Sequence, residues 1–409
     1  MEGIITIYSY YSPEELTGIG KYNGELLHWL GKHSTEILSI TNVPFYPYWK
    51  KYKGYQNKIY QSSQRNNIYT KRSWVYIPSN PSSITKILSE LSFLVSSILS
   101  ICVNWRRFRH SELIIVVLPP FFLGIIPILF KKRSSKVLFH VQDLQIDAAK
   151  ELNLLPSWLC NSLQKFERFQ FNQADFISTI SDGMRAKIIA KGINKGVVLM
   201  PNWTNMKEIK PIPNRFWLHK KLGIDPEKKL IVYSGNLGEK QGLEIILEAS
   251  KRLENNKELM FVILGEGLYK KNLSSKSVKS GVKNLIFGSL VPKEKLNLML
   301  NSSFIQLIIQ KHEGADSFMP SKLTNILAAG CASIITANKG TGLYNLVFHN
   351  NTGKVIDSNS PDKLVEAILN LIKNHGEYSL IQKNARNWAE NNLSIDKCLE
   401  PIKQILKSS

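Results

Sequence analysis

Short apolar runs, each long enough for one strand, alternate along the chain with stretches of helical spacing, and this alternation limits the fold more than any other feature. The first run is Gly3-Ile4-Ile5-Thr6-Ile7-Tyr8, followed by a helical pattern over 19–32 and a second run at 36–41. Later runs fall at 176–180, 197–200, 230–233, 259–264, 285–287, 304–309, 332–336 and 354–356. Strands joined by helix-length connections predict parallel sheets with helices on both faces. Parallel crossovers are almost always right-handed, so the economical arrangement is a doubly wound α/β fold. At 409 residues the chain has room for two or three domains. The winding starts twice: Pro201-Asn202-Trp203-Thr204-Asn205 closes one series and Leu230 opens another. The expected domains are therefore 1–205 and 206–385, with a last helical segment, 386–409, crossing back to the first.

Charge narrows the partners. The formal net charge is +21, which attracts polyanions such as acidic lipid headgroups, phosphorylated substrates or nucleic acid. The four cysteines, Cys102, Cys160, Cys331 and Cys398, are scattered, which fits a reducing cytoplasm and argues against a zinc site or a disulfide framework. No basic leader precedes the first strand, so no signal peptide is expected. Residues 113–130 are apolar over almost a membrane's thickness, but Pro119-Pro120 and Pro127 interrupt them. They read as a buried strand, a turn and a short helix, with the next strand at 136–141. The segment 84–109 differs: an apolar helix with Trp105 at one edge and Arg106-Arg107-Phe108-Arg109 at its end. With the aromatic and basic loop Phe45-Tyr46-Pro47-Tyr48-Trp49-Lys50-Lys51-Tyr52-Lys53, it predicts a surface that rests on an anionic bilayer.

Four segments carry candidate chemistry. Thr17-Gly18-Ile19-Gly20 follows strand one at a helix start, where bare backbone and free N–H groups favour an anion. Ser234-Gly235-Asn236-Leu237-Gly238-Glu239-Lys240-Gln241-Gly242 follows the first strand of the second domain, the end of a parallel sheet at which ligands bind. Gly265-Glu266-Gly267 is a third post-strand turn. The fourth runs from Gln310 and Lys311 through Pro320, Ser321 and Lys322 to Asn325 and Gly330. Pro320 and Ser321 mark a helix start, and a lysine in that first turn opposes the helix dipole unless an anion sits opposite.

On Tyr11 to Tyr22, Phe139-His140-Val141-Gln142-Asp143, Pro201-Asn202-Trp203, Ser234 to Gly242 and Pro320 to Gly330, the chain resembles the retaining glycosyltransferases of family 4. Within that family it is similar to the branch of colanic-acid and O-antigen gene clusters, which includes N-acetyl-L-fucosaminyl-type transferases. The resemblance implies a GT-B architecture, two Rossmann-like domains facing an interdomain cleft. It implies that Gly18 and Gly20 lie under the donor phosphates, His140 beside the donor sugar and Asp143 near the acceptor. The family's diphosphate-gripping arginine and lysine fall here on Asn236 and Gln241, and its paired glutamates on Ser317 and Asn325, so the chain departs at these positions. Lys240, Lys311 and Lys322 are the replacement cations, and Asp316 or Glu313 the replacement carboxylate. His140, Lys322, Lys240 and Asp316 are the expected catalytic groups. Gly18, Gly20, Gly235, Asn236, Gln241, Gly265, Gly267, Lys311, Ser321 and Asn325 are the expected donor contacts.

The expected reaction is transfer with retained configuration through an oxocarbenium-like transition state. No Asp-x-Asp occurs, so lysines and helix starts, rather than a metal, are expected to hold the diphosphate. No other cofactor is expected. The donor is expected to be UDP-N-acetyl-L-fucosamine, with GDP-fucose or another UDP-sugar as rivals, and the acceptor a polyprenyl-diphosphate-linked sugar at the inner face of the cell membrane. A UDP-sugar 2-epimerase of the same fold is the enzymatic alternative. A basic nucleic-acid binder is the other, though no zinc module, recognition helix or RNA-binding signature is present.

Overall fold

The computed structural model describes residues 3–151, 155–193, 195–213, 215–267, 269–311 and 320–407, with the side chains of all but Glu151, Lys240 and Ser321. The chain forms two compact units, residues 1–201 with 399–409, and residues 202–398. The division falls at Pro201, a few residues before the expected boundary, and the chain rejoins the first unit from Leu399 rather than from about 386.

Unit 1 is built on eight strands: β1 (Ile4–Ser9), β2 (Glu36–Thr41), β3 (Tyr60–Arg65), β4 (Ile68–Ser73), β5 (Ser111–Leu118), β6 (Lys136–Val141), β7 (Phe176–Thr179) and β8 (Val197–Leu199). Their order is β3-β4-β2-β1-β5-β6-β7-β8. Every pairing is parallel except β3 with β4. The helices are α1 (Gly18–His33), α2 (Ser83–Val103), α3 (Trp105–Arg109), α4 (Ile125–Phe130), α5 (Gln145–Glu151), α6 (Ser157–Gln173) and α7 (Asp182–Ala190). The apolar stretch at 113–130 resolves into β5, a turn and α4, with Ile114, Ile115, Val116 and Val117 fully buried. The hairpin β3–β4 has no counterpart in the sequence reading. Tyr60-Gln61-Ser62-Ser63-Gln64-Arg65 lacks apolar alternation because β3 is an edge strand open to solvent.

Unit 2 has helix α8 (Trp217–Leu222), then β9 (Lys229–Ser234), α9 (Glu244–Arg252), β10 (Leu259–Leu264), α10 (Lys270–Lys279), β11 (Leu285–Gly288) and α11 (Leu296–Ser302). It continues with β12 (Ile305–Ile308), α12 (Ser321–Ala328), β13 (Ser333–Thr336), α13 (Gly342–His349), β14 (Lys354–Ile356), α14 (Pro361–Lys373), α15 (His375–Asn392) and α16 (Ile395–Cys398). The final helix, α17 (Glu400–Lys407), belongs to unit 1, where Ile402 and Ile405 are buried and the Lys403 ammonium lies 5.2 Å from the Trp29 ring. The six strands of unit 2 are all parallel, in the order β11-β10-β9-β12-β13-β14. That is the doubly wound order, which reverses direction between β9 and β12. Alternate residues feed two cores: Ile231 and Tyr233 on one face, Leu230 and Val232 on the other.

α2 packs on the sheet with a mixed face, Phe93 and Ile101 entering the core beside several polar side chains, and leaves further apolar residues outside. Its inward residues include Ser89, Glu90, Ser97 and Ser100. Ser89 meets the Tyr10 phenol at 2.7 Å, Ser97 the Tyr8 phenol at 2.6 Å and Ser100 the Ser73 hydroxyl at 2.7 Å. Its outward residues are apolar: Ile84 is 72% exposed, Val95 68% and Val103 57%. By length and composition it is long and apolar enough to cross a membrane. The aromatic loop upstream divides. Phe45 is buried in the unit 1 core, with Tyr46 and Trp49 packed on it, and only Tyr48 projects far into solvent.

Candidate active site

In unit 2 the chain reverses its winding at the carboxyl ends of β9 and β12, and the predicted residues gather there. β9 ends on Tyr233 and Ser234, and Gly235 then takes φ +156°, a backbone only glycine adopts easily. Lys322, in the first turn of α12, reaches back to this bend. Its Nζ donates to the Ser234 carbonyl at 3.4 Å and lies 3.7 Å from the centroid of the Tyr233 ring. A Cβ on Gly235 would come within 3.4 Å of that ammonium, so glycine keeps the approach open. Among the described residues no carboxylate pairs with Lys322, and burial pulls its pKa down to about 7. A desolvated cation that meets, among the described residues, only a carbonyl and an aromatic face has unmet electrostatic demand. An arriving anion would meet that demand and draw the pKa back up.

The neighbouring loop is held by its own atoms. Leu237 N–H donates to the Glu266 carbonyl at 2.9 Å. A Cβ on Gly265 would fall 2.1 Å from the Gly235 carbonyl, and one on Gly267 2.3 Å from the Leu237 carbonyl. These two glycines thus serve a close approach of two post-strand loops, a role separate from any ligand contact. Gln241 turns its carbonyl oxygen to the Gly238 N–H at 3.0 Å, which leaves its amide as the group free to donate. A Cβ on Gly242 would sit 2.9 Å from Lys311 Cγ, so Lys311 lies along this loop too. Asn325, one turn along α12 from Lys322, accepts from the Thr204 hydroxyl at 3.2 Å. The Asn236 amide lies beside Gly238. The expected contacts Asp316, Glu313 and Ser317 lie outside the described residues, as do the side chains of Lys240 and Ser321.

Unit 1 has its own switch between β1 and β5. Gly18 opens α1 with φ +63°. Gly20 is a packing position: a Cβ there would fall 2.4 Å from the Ser12 carbonyl and 2.5 Å from Glu15 Oε2. Glu15 Oε1 accepts from the Phe45 and Tyr46 N–H groups at 3.3 and 3.1 Å, its Oε2 has no partner, and burial raises its pKa to about 8. His140 is fully buried at the end of β6, with Nδ1 3.0 Å from the Ser178 hydroxyl. Burial lowers its pKa to about 4, so the ring is neutral near pH 7. Asp143 follows it, raised by burial to about 6. Glu90 comes in from α2, raised by burial to about 7. Glu15 and Glu90 escaped the sequence reading because each is a lone acid in an ordinary-looking segment, and only the fold buries it.

Comparison with known proteins agrees with this geometry. Residues 214–388 match the family of glycosyl transferases group 1. The putative colanic acid biosynthesis glycosyl transferase WcaI of Escherichia coli (strain K12) is 35% identical over 343 residues, 82% of this chain and 83% of its own. Among solved structures, a sucrose-phosphate synthase from Thermosynechococcus elongatus superposes with TM-score 0.76 at 14% identity, covering 99% of this chain and 98% of that one. Anabaena HepE in complex with UDP and glucose does so with TM-score 0.70 at 12% identity, covering 99% of this chain and 100% of that one. The fold is that of the GT-B enzymes. Two doubly wound units, a family match over the second and a relative 35% identical over four-fifths of its length together show that the chain belongs to the group 1 glycosyltransferases.

Proposed function

We propose that the protein is a retaining transferase that takes a sugar from a nucleoside-diphosphate donor without a divalent ion and places it on a polyprenyl-diphosphate-linked sugar in polysaccharide synthesis. The single observation that carries the reading is the half-buried ammonium of Lys322 at the β9–β12 switch point, which has no carboxylate partner among the described residues. As the glycosidic bond breaks, negative charge grows on the departing phosphate, and a fixed cation in a dry site stabilises that charge most. The amide of Gln241 and the ammonium of Lys311, both on the neighbouring loop, are the groups to supplement it. The neutral His140 ring and Asp143 supply polar contacts in unit 1. Similarity to a colanic acid enzyme supports a polysaccharide role, with N-acetyl-L-fucosamine as the first sugar to test and UDP as the first nucleotide.

The exposed apolar face of α2 supports work on the inner face of the cell membrane. A helix that already fills the core with Phe93 and Ile101 and still turns leucine, isoleucine and valine outward has an apolar medium as its natural outer neighbour. Trp105, Arg106 and Arg109 at its end match a lipid headgroup layer, with the Arg109 guanidinium 5.3 Å from the Trp105 ring.

The test of the donor reading is thermal unfolding with UDP, GDP, TDP and CMP, each with and without EDTA. The expected result is a rise in Tm with one nucleotide diphosphate, unchanged by the chelator and absent in Lys322→Met. A shift that disappears with EDTA would overturn metal independence, and an undiminished shift in Lys322→Met would remove the lysine from the site.

A further inference from the structure

α2 turns a single carboxylate inward. Glu90 is 8% exposed and lies between Ser89, bonded to the Tyr10 phenol, and the outward-facing Leu91. Its Oε1 accepts from the Gln145 amide at 3.0 Å, and Gln145 Oε1 in turn accepts from the Phe121 N–H at 3.2 Å. Phe121 follows β5 and Gln145 opens α5 just beyond β6, so the carboxylate is tethered at the carboxyl edge of the sheet, beside the unit 1 switch point. Among the described residues no hydrogen bond reaches Oε2, and no cation forms an ion pair with the group. Lys86, one turn back on α2, acts on it only from a distance, and the Tyr10 and Tyr11 phenols that face it stay neutral. A tie from α2 to Gln145 could be made as well by an amide. A desolvated carboxylate is a costly way to make it unless its second oxygen has another use.

We infer that Glu90 is an acceptor-binding residue: its free carboxylate oxygen takes a hydrogen bond from a hydroxyl of the acceptor sugar, beside Tyr10 and Tyr11. The inference rests on the transferase reading above, with the acceptor held by unit 1, where Asp143 is its expected contact. It makes α2 a two-sided element, with the lipid of the acceptor against its outer leucines and the sugar head against its one inward carboxylate. No atom is transferred to Glu90; the group orients the nucleophilic hydroxyl.

The experiment is titration calorimetry on the full chain with three probes: UDP, farnesyl-diphosphate-linked N-acetylglucosamine, and farnesyl diphosphate alone. Glu90→Gln retains an oxygen for the Gln145 amide, so the fold is kept. It is expected to bind UDP and farnesyl diphosphate as the wild type does, and the sugar-bearing probe about ten- to a hundredfold more weakly. Wild-type affinity for that probe is expected to rise between pH 6 and pH 8 as Glu90 ionises, with the rise reduced in Glu90→Gln to what Asp143 and Glu15 contribute. Equal binding of the sugar-bearing probe by both proteins overturns the inference. So does a wild type that binds UDP but not that probe. A wild type that binds no nucleotide overturns the donor reading instead. If Glu90→Gln lowers Tm, Glu90→Asp decides: a retained pH slope supports the role, and a lost slope with intact UDP binding overturns it.

Discussion

Lys322 has a measurable signature because its surroundings hold it near half-protonation. With a pKa of about 7 in the free chain, it is charged in about half the molecules at pH 7. A bound diphosphate favours the charged form, so UDP binding at pH 7 should take up about half a proton per site. Calorimetry in buffers of different ionisation heat reads that number, and Lys322→Met should abolish it. In the unliganded chain the same substitution removes a desolvated charge with no carboxylate partner among the described residues. It is therefore expected to stabilise the fold at pH 7 by roughly 1–3 kcal/mol while removing the response to UDP. Glu15 makes an opposite case. Its carboxyl keeps its proton up to about pH 8 in the folded chain, whereas the unfolded chain releases it near the ordinary 4.5. Its contribution to stability is thus full below that value and declines as pH rises towards 8. Glu15→Gln, which still accepts from the Phe45 and Tyr46 N–H groups, should gain stability over the wild type between pH 5 and pH 8 in urea unfolding. Of these groups Lys322 was legible in the sequence, because a lysine in a helix's first turn calls for an explanation. The Tyr233 ring beneath it was not, since an aromatic in a strand carries no mark of what it faces.

Helix α2 separates packing from surface in one element. Its inward serines satisfy buried phenols, so Ser97→Ala strands the Tyr8 hydroxyl and should cost about 1–3 kcal/mol by chemical denaturation. Its outward residues touch little, so Val95→Asp should change stability by less than about 0.5 kcal/mol. The same substitution should release the protein from vesicles containing a third phosphatidylglycerol in a flotation assay. Retention on those vesicles would remove the membrane role of this face. The apolar content and cationic end of this helix were plain in the sequence, but which side faced inward was not. The helix is apolar nearly all round, so periodicity does not separate the side that buries Phe93, Ile101 and the serines from the side that exposes Ile84, Val95 and Val103. The strands of unit 2 were legible almost to the residue because parallel strands buried on both faces are continuous apolar runs. The edge hairpin β3–β4 was not, because an exposed edge imposes no such pattern.

The two units and the overall charge govern how the protein behaves in solution. With a formal net charge of +21, attachment to anionic vesicles should weaken steeply as salt rises from 50 to 200 mM. Neutral vesicles should bind far less at any salt. Two compact units also mean that unfolding need not be one transition. UDP protects only what it touches, so hydrogen exchange with the nucleotide bound should slow at residues 233–243 and 321–330 of unit 2.

The return of the chain to unit 1 at Leu399 has a consequence for biosynthesis. Unit 2 is one unbroken stretch, whereas unit 1 lacks α17 until all of unit 2 has been made. During translation the eight-stranded sheet must wait with Trp29 uncovered on α1 while its younger neighbour is already complete. A stop codon just after Cys398 would therefore injure the amino-terminal half of the molecule, the half most distant from it along the message.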